Sequence, residues 1–182
     1  MFIASQKKKE NIAEYLLYMW QLEDLIRANN LDIDRIQQSI IDAYTGLEDD
    51  QKKNLREWYE SLIDMMRREG VVEKGHLQLN KNVLIQLNDL HKRLLSDSKF
   101  ADYAAEFYKT LPYIVELRAK AGENKADEIE TCFNALYGLL MLRLAKKEVT
   151  PETLQAAQQI TRFLALLSSF YKKDFNNELF EE

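Results

Sequence analysis

The residues that could do chemistry in this chain are few: two histidines, one cysteine and carboxylates scattered through apolar stretches. Glu73 and His76 form a Glu-x-x-His pair. In di-metal helical bundles that spacing puts both ligands on one helix face, and the motif must occur twice. Here Gly75 interrupts the segment and no second copy exists, so no metal site is expected. His91 falls on an apolar helical stripe beside Asp89 and Lys92 and reads as a core-edge histidine hydrogen-bonded to a neighbour. Two histidines give a histidine-based catalytic constellation little material. Cys132 lies on an apolar face with no flanking base or helix N-terminus to activate it, so it reads as a small buried hydrophobe. Glu14, Glu23, Asp24, Asp64, Glu106 and Glu116 sit within or beside apolar runs. Two of them brought into one cleft could do acid–base work. The bland reading pairs them with Lys and Arg one turn away, as Asp89 with Arg93. No catalytic, cofactor-binding or metal-ligating residue is assigned, and no cofactor is implied.

The elements that must carry these residues are helices. Only five glycines and two prolines punctuate 182 residues, and apolar positions recur at helical spacing from Ile12 to Tyr171. The fold class expected is all-α: one domain over 1–182, a bundle of six to seven helices. The first predicted helix runs from about Lys8 to Ala28 and stops at Asn29-Asn30. The second starts after the N-cap Asp32 and ends at Gly46; the third spans about Glu48–Glu69, with acidic residues at its start and Arg67-Arg68 at its end. Val71–Leu79 breaks the helical period and is expected to be a short hairpin or an extended linker, with the only candidate subdomain break at 70–80. A fourth helix follows Asn80, and a fifth follows Ser96-Asp97-Ser98 and contains Pro112, which should kink or split it. The sixth is expected to be capped by Asn124 and to run to about Lys147. The seventh starts at Thr150-Pro151, and its acidic end, 176–182, is expected to fray.

Two of these helices are apolar on nearly every side. Tyr137 and Leu140 in the sixth, and Phe163 and Leu167 in the seventh, lie among leucines and aromatics. A helix apolar all round is buried on more than one side, either as a central core pair or at a subunit interface. Gly138 suggests a close helix crossing that leaves no room for a side chain. Trp20 points off the stripe of the first helix and marks either a pocket or interface, or a helix buried on two sides. Trp20, Tyr137, Leu140, Phe163 and Leu167 are therefore the interface candidates.

Composition weighs against several classes. The net charge of −5 argues against a nucleic-acid binder. The helix Glu48–Glu69 mixes basic with acidic residues where a recognition helix needs net positive charge. Lys7-Lys8-Lys9 is short enough to be a solvated end rather than a membrane anchor. Residues 1–20 do not read as a signal peptide, because these lysines follow the apolar Met1–Ala4 instead of preceding it. No apolar run approaches the ~20 residues of a membrane span. One cysteine allows no intrachain disulfide and fits a reducing cytoplasm.

Three stretches, Met1–Ala4 with Lys7–Ala28, Glu73–Leu84 and Glu128–Arg143, resemble an uncharacterised all-helical family of unknown function, of about this length, from Bacteroides-type bacteria. The resemblance covers essentially the whole chain and implies a stand-alone single-domain protein. It carries no activity, ligand or catalytic residue. The function expected is thus a non-catalytic, cytoplasmic helical interaction or scaffold protein that self-associates, compatible with a further protein partner and without a membrane role. The alternatives are a ligand-binding or enzymatic bundle with an interhelical pocket, and, less favoured, a nucleic-acid-associated regulator.

Overall fold

The structure is a computed structural model that describes residues 2–122 and 126–179. Among them are eight helices and no strand: α1 (Phe2–Glu10), α2 (Ile12–Ala28), α3 (Ile33–Ile36), α4 (Asp49–Arg68), α5 (Gln78–Ser96), α6 (Ala101–Lys120), α7 (Glu128–Leu144) and α8 (Pro151–Phe175).

Local chemistry sets most of the ends. The helix expected over 8–28 divides at Asn11, whose side-chain oxygen accepts the Ala13 N–H at 3.1 Å and so competes with the helical bond. Lys7–Lys9 are consequently helical, and Lys7 pairs with Glu14 at 2.9 Å. Asp32 caps α3 as expected, accepting from Asp34 and Arg35. The chain then widens into one π-helical turn, Gln37–Ile41, and leaves the helix before Gly46, which is therefore not its capping residue. Glu48 and Gln51 form a reciprocal capping box on α4. At the other end of α4 Gly70 takes φ +68, with Val71 N–H bonded to Met66 O and Gly70 N–H to Arg67 O, a Schellman termination. α7 is capped by Asp127; the cap expected from sequence, Asn124, lies outside the described residues, as do 180–182. Thr150 and Pro151 open α8 as expected. α6 runs unbroken through Pro112, which sits on the exposed face, where water can take the carbonyl bond that proline cannot make.

Contacts cluster into two units, 1–8 with 14–82 and 9–13 with 83–182, so the division falls inside α5 at 82/83. In the first unit α3 and the π turn pack on α4. Leu16, Met19, Trp20, Ile26, Ile36, Leu62 and Met66 are buried there. In the second, α6, α7 and α8 contact one another pairwise. Their core is aromatic: Phe163 lies 5.6 Å from Tyr103 and 5.7 Å from Phe107, ring centre to ring centre. α2 is buried on two sides, which accounts for Trp20. Phe163 and Leu167 are buried within the chain as well, so of the five interface candidates only Tyr137 and Leu140, half-buried on α7, keep surface to offer. The segment Val71–Leu77 is an extended connector with bends, not a hairpin, because no strand pairs with it.

Gly138 corrects another expectation. It is exposed, and a Cβ built there meets nothing within 4 Å, so it serves no close crossing. Two glycine substitutions should therefore have opposite signs in urea denaturation. Gly138→Ala should stabilise the chain by up to about 1 kcal/mol, the helix-propensity difference. Gly70→Ala should destabilise it by about 1–2 kcal/mol, because the new Cβ must occupy the left-handed region.

Candidate functional site

The sequence-flagged carboxylates do not converge. Glu14 pairs with Lys7, Asp24 with Arg27 at 2.8 Å, Asp64 with Arg67 at 3.9 Å, Glu106 with Lys109 at 3.4 Å and Glu116 with Lys120 at 2.6 Å. All but the first are pairings one helical turn apart. Arg93, expected against Asp89, instead forks onto Asp174 of α8 with contacts of 3.0 and 2.8 Å. Glu23 is the exception: it is 1% exposed and carries the most elaborate polar cluster of the first unit.

That cluster solves a problem set by the start of α5. The first N–H groups of a helix have no intrahelical partner, and Leu77-Gln78 supplies no capping side chain. Two distant carboxylates substitute. Leu77 N–H donates to Glu23 Oε1 at 2.9 Å, and Gln78 N–H donates to Glu69 Oε2 at 2.6 Å. Negative charge at this point also complements the helix dipole. Asn80 Nδ2 adds a third bond, to Glu23 Oε1 at 2.7 Å. His76 Nδ1 donates to Glu23 Oε2 at 2.6 Å, and its ring stacks on Trp20, with centroids 4.1 Å apart and planes 12° apart. Arg27 ties down the same connector through the carbonyls of Val71 (3.0 Å) and Gly75.

The carboxylate fixes the orientation of the His76 ring through Nδ1, while the side chain is 26% exposed. Among the described residues, however, no nucleophile or second acid converges on it. None of the described His, Cys, Asp and Glu residues gather in threes able to hold a metal ion. Sequence reasoning paired His76 with Glu73; the structure pairs it with Glu23, 53 positions away.

The second unit buries its titratable groups without charge. His91 Nδ1 accepts from the Tyr103 hydroxyl at 2.6 Å, and its ring lies edge-on to Phe107 and Phe163. Burial pushes the His91 pKa down to about 4, against the opposing pull of Asp127, while Lys92 adds to the depression. Burial likewise raises the Cys132 thiol far above its ordinary value, so it is inert as a nucleophile.

Two clefts stand apart from these clusters. One of about 410 Å³ is lined by Asn30, Leu31, Asp32, Ile33, Glu60, Ile63, Asp64 and Arg67. Its charges are answered locally: Asp32 caps α3, Glu60 binds Arg56 at 3.1 Å, and Arg67 reaches Asp64 and the Leu31 carbonyl. The other, about 210 Å³ between α6 and α7, is lined by Leu117 and three alanines together with Arg118, Thr131 and Asn134. Neither gathers a reacting constellation.

A family model described as a domain of unknown function (DUF4924) matches residues 1–178. The chain belongs to that family. No curated protein and no solved structure matches it. The DUF4924 chain thus presents its polar clusters as devices that hold helices together. No helix among its described residues is long and apolar enough to cross a membrane.

Two measurements check this account. Glu23→Ala leaves several buried donors without an acceptor and should cost about 3–5 kcal/mol in urea denaturation. Glu23→Gln keeps one acceptor oxygen and should cost about 1–2 kcal/mol; equal losses would point to packing alone. For His91, the folded pKa of about 4 lies below the ordinary 6.5. The unfolded chain therefore binds a proton that the folded chain refuses. Stability should fall as pH drops from about 6.5 to 4, by up to about 3 kcal/mol. His91→Gln should flatten that part of the profile.

Proposed function

We propose that this DUF4924 protein is a non-catalytic helical scaffold that self-associates, most simply as a homodimer, in the bacterial cytoplasm. The observation that carries the reading is the distribution of exposed apolar side chains. Of the large exposed hydrophobics among the described residues, Tyr44 and Val72 lie in the first unit. Ile85, Tyr108, Val115, Leu142, Leu144 and Phe175 all lie in the second. Tyr137 and Leu140 on α7 add half-buried apolar surface there. Apolar surface concentrated on one part of a chain is what a protein–protein contact uses. The candidate catalytic groups, in contrast, are occupied: Glu23 by three hydrogen bonds at the start of α5, His91 and Cys132 by burial. The lone cysteine, buried and unreactive, suits a reducing compartment.

Sedimentation velocity of the full chain across a hundredfold concentration range tests the proposal. The expected result is a species of twice the 21.4 kDa chain mass at micromolar concentration. A strict monomer throughout the range would overturn it.

A further inference from the structure

α6 carries two apolar stripes on opposite sides. One is buried: Tyr103, Phe107, Thr110 and Ile114. The other is Ala101, Ala105, Tyr108, Pro112, Val115 and Ala119, and all six are exposed. Their spacing alternates four and three residues, and at 100° per residue they fall within about 80° of arc. Alternating four-three spacing is the seam of a two-helix contact, in which each seam residue inserts between residues of the facing helix. Tyr108 and Val115 are 63% and 59% exposed, so a regular apolar seam faces water with nothing on it.

We infer that this seam is where a second copy of the chain docks, α6 against α6, antiparallel and centred between positions 113 and 114. The inference rests on the self-association proposed above and names its surface. The charges beside the seam select the partner and the register. Asp102, Lys109 and Glu116 recur every seven residues along one edge, all exposed, with signs minus, plus, minus. In the antiparallel register centred between 113 and 114, Lys109 of each copy meets Glu116 of the other, giving two symmetric opposite-charge pairs. The same register sets Tyr108 against the small Ala119 and Pro112 against Val115. Shifting the pairing by one heptad sets Lys109 against Lys109 and Asp102 against Glu116, which repels. A parallel pairing offers no flanking opposite-charge pair, because the other edge carries Ala104, Leu111 and Arg118. A self-complementary pattern of this kind fits the two-fold symmetry of a homodimer. Within one chain Lys109 and Glu116 are themselves exposed and pair one turn away, with the part-buried Glu106 at 3.4 Å and the exposed Lys120 at 2.6 Å, pairings that can be exchanged at small cost.

The test is a charge-swap set measured by sedimentation equilibrium on the full chain. Lys109→Glu and Glu116→Lys should each raise the dimer dissociation constant about tenfold, and the double variant should return it to near the wild-type value. Val115→Glu should abolish the dimer, whereas Lys53→Glu on α4 should leave it intact. Circular dichroism melting keeps folding defects apart, since every substituted side chain is exposed. A wild-type chain that is monomeric overturns both the self-association and its surface. A dimer indifferent to the seam variants, or one that the double swap does not rescue, overturns the α6 docking alone.

Discussion

The first unit depends on a helix that cannot cap itself. α5 opens at Gln78 with no side chain of its own placed to receive the free N–H groups, and the connector before it has no sheet to join. Glu23 and Glu69 accept those N–H groups from elsewhere in the unit. Burying a carboxylate is costly unless its oxygens are fully used. Glu23 meets that condition through Leu77, Asn80 and His76, and His76 is in turn held flat against Trp20. A single buried group thereby orders a connector, a helix start and an aromatic side chain.

The second unit handles a buried polar group the opposite way. His91 is surrounded by Tyr103, Phe107 and Phe163, which offer one hydroxyl and otherwise only ring edges, and the Glu128 carboxylate stands 3.7 Å from its Nε2, beyond a hydrogen bond. Desolvation outweighs the nearby Asp127, and the imidazole stays neutral. The same physics silences Cys132. A chain with two histidines and one cysteine thus commits all three to holding helices in place. Toward solvent, α6 keeps one regular apolar stripe, Ala101, Ala105, Tyr108, Pro112, Val115 and Ala119.

Much of the fold was legible residue by residue. The Asp32 and Thr150 caps and the apolar periodicities of α4, α6 and α8 are local signals read by local rules. The errors were also local in origin. Asn11 outcompeted the helical bond and split the first helix, the π turn ended the second early, and a β-branched run around Gly75 suggested a hairpin that no strand completes. Gly138 was assigned to a close crossing because α7 is apolar all round, but which side of such a helix faces out is not encoded in its periodicity.

The polar site was not legible at all. Glu73 and His76 are close in sequence, whereas Glu23 and His76 are 53 positions apart, and hydrogen bonding selects the second pair. By itself the sequence determined the helical class, most helix boundaries and the scarcity of catalytic groups, because caps, propensities and hydrophobic spacing act over a few residues. The tertiary structure alone decided which carboxylate is buried, that His91 stays neutral and which apolar stripe of α6 faces water, because desolvation depends on everything packed around a group.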